Sequence, residues 1–126
     1  MTAVVDTSVL IDHLRGRDDA RRVLGEIVDA DEQLLGSVLT RAELLAGARS
    51  AERPRIEALL GVVEWMPVTL EIADRAGELA RECLRSHPGI DTVDYVIAAT
   101  VEQTRGRLLT RNVEHFPMLP GLAAAY

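Results

Sequence analysis

The sequence predicts an α/β fold, a short and mostly parallel central sheet flanked by helices. Brief apolar runs of strand length alternate with longer stretches whose apolar residues recur at helical spacing. Parallel neighbours need crossover connections, and those helical stretches supply them. At 126 residues, with 48% hydrophobic and 27% charged residues, the chain suffices for one core and not comfortably for two. A single domain over residues 1–126 is therefore expected.

Ala3 to Val5 is a short, largely β-branched run suited to a buried strand. Ser8 to Leu14 follows as a helix, with Val9, Leu10, Ile11 and Leu14 near helical spacing and Gly16 as its stop. Asp18 to Asp29 places Ala20, Val23, Leu24, Ile27 and Val28 on one helical face. Leu34 to Val38 is a second strand. Helices are expected at Thr40 to Ala48 and Arg53 to Leu60, separated by a polar break at Ser50, and Glu64 to Val68 is the third strand. Thr69 caps a long helix in which Ile72, Ala73, Ala76, Leu79, Ala80, Cys83 and Leu84 repeat on one side, up to the SHPG turn at 86–89. A helix over Thr92 to Gln103 and a fourth strand over Arg107 to Thr110 complete the series. The closing GLAAAY fits a weak fifth strand about as well as a helix.

Composition narrows the function. Aromatics are only 3% of the residues, so core volume comes from aliphatic side chains and base-stacking platforms are not expected. No apolar run reaches the ~18 residues of a membrane span, and no basic-then-apolar signal segment opens the chain. A cytoplasmic protein without membrane contact is expected. Cys83 has no partner for an internal disulfide and reads as a small core residue. The net charge of −6 weighs against a broad basic surface for nucleic acid. All 14 basic residues are Arg, and the chain has no Lys.

Ligands in open parallel sheets bind outside the carboxyl ends of the strands. Asp6 falls there after the first strand, and Asn112 just beyond the fourth. Glu43 in TRAELLAG and Asp94 in DTVDYVIAAT interrupt apolar or small-residue helical stretches, with Asp91 one turn before Asp94. Each acid also has a plain structural reading. Thr40 and Glu43 have the spacing of a capping box, Asp91 suits a helix N-cap, and Asp6 suits a cap for the helix that follows it. Carboxylates gathered at one sheet edge repel unless protonated or neutralised by a cation. Oxygen ligands without a Cys or His pair suit Mg²⁺ or Mn²⁺, ions that retain waters and bridge to phosphate. Phosphoryl chemistry is the reading that follows.

Taken together, DTSVLID, TRAELLAG, DYVIAAT and LLTRNVEHFP resemble the PIN-domain ribonucleases, and most nearly the VapC toxins of type II toxin–antitoxin systems. The similarity spans almost the whole chain, with the four elements in the family's order. It implies a compact α/β sandwich whose acidic pocket binds Mg²⁺ or Mn²⁺ and hydrolyses RNA, a homodimer, and a cognate antitoxin that fills a groove. Carried onto this chain, it makes Asp6, Glu43 and Asp94 the acids of the pocket and Asn112 a more variable fourth position. Ser8 matches a small hydroxyl residue that supports Asp6. Asn112 departs from a fully acidic set, which bears on a second metal, and Asp91 is the residue placed to compensate. RNA is expected to meet Arg15, Arg17, Arg21 and Arg22, or Arg49, Arg53 and Arg55, unless these are simply a salt-bridged surface.

Rival classes fare less well. A phosphatase of the haloacid dehalogenase type needs a second Asp where this chain has Ser8, and a receiver-like phosphoacceptor needs a Lys. His13, His87 and His115 suggest no triad, and His115, before Phe116 and Pro117, reads as structural. The remaining alternative is a PIN fold that binds RNA or regulates with little catalysis.

Overall fold

A computed structural model describes all 126 residues. Four parallel strands form one sheet: β1 (Thr2–Val5), β2 (Gln33–Ser37), β3 (Glu64–Met66) and β4 (Arg107–Leu109), in the order β3-β2-β1-β4. The helices between them are α1 (Thr7–Leu14), α2 (Asp18–Asp29), α3 (Val38–Ala46), α4 (Arg53–Val62), α5 (Leu70–Cys83) and α6 (Thr92–Thr104). The α/β expectation holds, and the sheet is parallel throughout.

Alternation along the strands sorts the core into two layers. Ala3 and Val5 of β1, Leu34 of β2 and Leu109 of β4 pack with α1, α2, α3 and α4. Val4, Leu35 and Leu108 point the other way and pack with α5, α6 and Phe116. Because β1 lies between β2 and β4 and is covered on both faces, Ala3, Val4 and Val5 are all fully buried, and the strand reads as an unbroken apolar run. Cys83, expected in the core, is half-buried and packs against the second layer.

Boundaries differ from the sequence reading where backbone chemistry intervenes. Ser37, at the end of β2, caps α3 by accepting a hydrogen bond from the Leu39 N–H at 3.2 Å. The helix thus begins at Val38, Thr40 lies inside it, and the capping box expected of Thr40 and Glu43 does not form. The third strand stops at Met66, before Pro67, which has no N–H to offer a ladder. Ser50 opens a short 3₁₀ turn, Ser50–Glu52, rather than a simple break. Gly16 ends the α1 region at φ +81°, a left-handed conformation that glycine adopts without strain. Residues 121–126 form neither the fifth strand nor a helix, although the Ala125 N–H donates to the Thr110 carbonyl at 2.8 Å.

One glycine in the sheet is there for space. A Cβ on Gly36 would lie 2.8 Å from Trp65 Cζ3 and 2.9 Å from Val63 Cγ1. Gly36→Ala is expected to destabilise the protein by about 1–3 kcal/mol through overpacking, read as a lower urea midpoint with an unchanged slope.

Candidate active site

The carboxyl end of β1 meets the N-terminal ends of α1 and α6, and there Asp6, Asp91 and Asp94 are found. Asp6 continues β1 by one residue, its N–H donating to the Leu109 carbonyl at 2.9 Å. Its extended backbone makes it the N-cap of α1, with Oδ1 accepting from the Thr7 N–H at 2.9 Å. Oδ2 accepts from two hydroxyls, Ser8 Oγ and Thr110 Oγ1, each at 2.8 Å. The cap reading of Asp6 is therefore correct, but it accounts for only one oxygen of a carboxylate that is 5% exposed.

Asp94 lies in the first turn of α6 and is also buried. Asp91 caps that helix, accepting from the Asp94 N–H at 3.1 Å. Burial pushes the Asp94 carboxyl up to about 6. The charge of Asp91 raises it further, His115 opposes, and Asp6 adds a smaller rise. That contribution from Asp6 reaches Asp94 although 88 residues separate the two in the 126-residue chain. His115 Nδ1 stands 3.5 Å from Asp94 Oδ2, so its imidazole pairs with this acid when protonated.

Glu43, on α3, is exposed, and its Oε1 accepts from Thr7 Oγ1 at 2.8 Å. Thr7 Oγ1 also lies 3.2 Å from Thr40 Oγ1, so one hydroxyl ties the start of α1 to α3 and links Glu43 to the residue that follows Asp6. Asn112 follows β4, and its N–H donates to Thr110 Oγ1 at 3.0 Å. Of the arginines named above, Arg15, Arg17, Arg22 and Arg53 are each paired with a carboxylate.

Sequence reasoning missed Thr7, Thr110 and the position of His115. Thr110 had a signal: a hydroxyl directly after the strand that neighbours β1. His115, read as structural, faces Asp94 instead. Nothing in its local sequence announces that, because the contact depends on how residues 111–116 fold over α6.

The donor set suits a hard cation. Its members are oxygen atoms, two of them on buried carboxylates that repel each other. No three His, Cys, Asp or Glu side chains converge into a preformed cage. Mg²⁺ needs none, since it is typically held by one or two carboxylates and completes its shell with waters and phosphate oxygens.

Comparison with known proteins adds an independent line. The family model for the PIN domain matches residues 3–118. Over 123 residues the chain is 46% identical to Ribonuclease VapC19 of Mycobacterium tuberculosis, covering 98% of each protein. It is 44% identical over 119 residues to Ribonuclease VapC10 of the same organism, covering 94% of this chain and 89% of that one. A toxin–antitoxin complex from Klebsiella pneumoniae superimposes with a TM-score of 0.81 at 29% identity over 98% of both chains.

Proposed function

Because the chain belongs to the PIN-domain family, we propose that it is a divalent-metal-dependent endoribonuclease, the toxin of a toxin–antitoxin pair. The observation that carries this reading is the crowding of Asp94 and Asp6 at the carboxyl end of β1, an arrangement of like charges that a cation relieves. The names of the two ribonuclease relatives support RNA as substrate, and the complex from Klebsiella pneumoniae supports an antitoxin as partner. A homodimer is the assembly proposed for the free protein. No helix is long and apolar enough to cross a membrane.

Asp6 and Asp94 would hold Mg²⁺ or Mn²⁺, directly or through water, with Glu43 completing the pocket and Asn112 adding an amide oxygen without charge. When bound, such an ion lowers the pKa of water and neutralises charge developing on the phosphodiester. Ser8 and Thr110 hold Asp6 in one orientation through their hydroxyls on Oδ2. Glu43, exposed and steered by Thr7, orients the attacking water. Asp91 spends one oxygen on the helix cap and contributes to the site through its charge.

The test is to incubate purified, antitoxin-free protein with mixed cellular RNA, with and without Mg²⁺ or Mn²⁺, beside Asp6→Ala, and to map cut sites by sequencing. Discrete cuts that need the metal and vanish in the variant are expected. RNA retained but uncut, with metal demonstrably bound, would instead make the protein a binding or regulatory module.

A further inference from the structure

The mechanism leaves unused a cluster one helical turn along α1 from Ser8. Asp12 is buried, 8% exposed, and three side chains meet on it, two of them from the far end of the chain. Arg111 Nη1 donates to Oδ1 at 3.2 Å, the Tyr126 hydroxyl donates to Oδ2, and Arg17 Nη1 lies 3.7 Å from Oδ2. The Arg17 guanidinium also sits 5.0 Å above the centre of the Tyr126 ring. A buried carboxylate needs this many donors, and removal of any one leaves charge poorly compensated.

The cluster matters because of what Arg111 is attached to. It lies between Thr110, whose hydroxyl is on Asp6, and Asn112, whose N–H is on Thr110 Oγ1. The Arg111 N–H itself points to Ser8 Oγ at 3.4 Å. The tail grips this turn twice: Ala125 N–H donates to the Thr110 carbonyl, and Tyr126 reaches Arg111 through Asp12. Without those grips, the hydrogen bonds left on residues 110–112 run to Asp6, Ser8 and Asp12 on one side of the turn and within the 110–115 segment itself.

We propose that the Asp12–Arg111–Tyr126 clasp makes the tail a working part of the active site, with Asp12 and Tyr126 as positioning residues that press the 110–112 turn onto Asp6. The inference rests on the metal-site reading above. Tyr126 and Asp12 act through Thr110 and Asn112 and touch neither metal nor RNA.

The test uses the full chain and Mn²⁺ alone as probe. Tyr126→Phe removes one hydroxyl and keeps the ring beneath Arg17. It is expected to speed amide exchange at Arg111 and Asn112 while leaving α5 unchanged, and to weaken Mn²⁺ binding by about tenfold, the scale at which outer partners of metal ligands act. Combined with Thr110→Val, it should weaken binding no further than Thr110→Val does alone, because both act along one path. Unchanged Mn²⁺ affinity in Tyr126→Phe, strictly additive effects, or equal quickening of the α5 amides would each overturn the proposal. If the wild-type chain binds no Mn²⁺, the metal reading fails, and local exchange at 110–112 alone decides for or against the clasp.

Discussion

Asp94→Asn should make the metal-free protein more stable at pH 8 while ending metal-dependent cleavage. In the folded chain the Asp94 carboxyl titrates at about 6, above the 3.8 of a free aspartate, chiefly because burial penalises its charge. The folded state therefore holds its proton more tightly than the unfolded state does. Stability contributed by this group is greatest below the unfolded pKa, falls as pH rises between the two values, and is lowest above about 6. The cost of keeping Asp94 ionised at pH 8 is on the order of 3 kcal/mol. Asparagine escapes it, so the gain should be present above pH 6 and vanish near pH 4, measured by urea denaturation across that range.

Metal addition separates this from an ordinary stabilising substitution. Mg²⁺ or Mn²⁺ binding to the folded state should raise the melting temperature of the wild type by mass action and leave Asp94→Asn unmoved. The apparent affinity of the wild type should also fall as pH drops through about 6, because protons and metal compete for one carboxylate. A variant that is less stable than wild type at pH 8 would mean that Asp94 is already compensated in the metal-free state, and the argument for a cation at this site would fail.

What was legible in the sequence follows from which interactions are local. The strand-to-Asp6 junction could be read because a buried parallel strand is apolar throughout, so its first charged residue marks its end. The cap on Asp94 was legible for the same reason, since Asp91 sits three residues before it. The start of α3 was misplaced because Ser37 and Thr40 are both good caps, and β2 pairing with β1 and β3 decides which one stands at the helix entrance. Thr110 on Asp6, His115 on Asp94 and Tyr126 on Asp12 join residues far apart in the chain, and no periodicity reports them. They depend on β4 pairing beside β1, which topology supplies and local pattern does not.

Phe116→Ala should cost about 3–5 kcal/mol, the range for deleting a buried aromatic ring, against a total stability of roughly 5–15 kcal/mol for a domain. Phe116 is the chain's one phenylalanine, is 1% exposed, and packs in the layer formed with α5 and α6. The other ring of that layer, Tyr95, is itself buried and packed in place, so the cavity is not readily refilled. Phe116→Leu keeps most of the volume and should lose well under half as much. Urea denaturation of both variants, with slopes equal to the wild type's, measures the difference. The ring also anchors the segment that follows β4, and the Phe116 backbone N–H donates to the Val113 carbonyl at 3.0 Å. Phe116→Ala should therefore weaken Mn²⁺ binding even under conditions where it remains folded, because Thr110, Asn112 and His115 lose their common support. A loss below about 1 kcal/mol would mean that this segment is not packed as described, and the hydroxyl on Asp6 and the imidazole on Asp94 would lose the scaffold that holds them there.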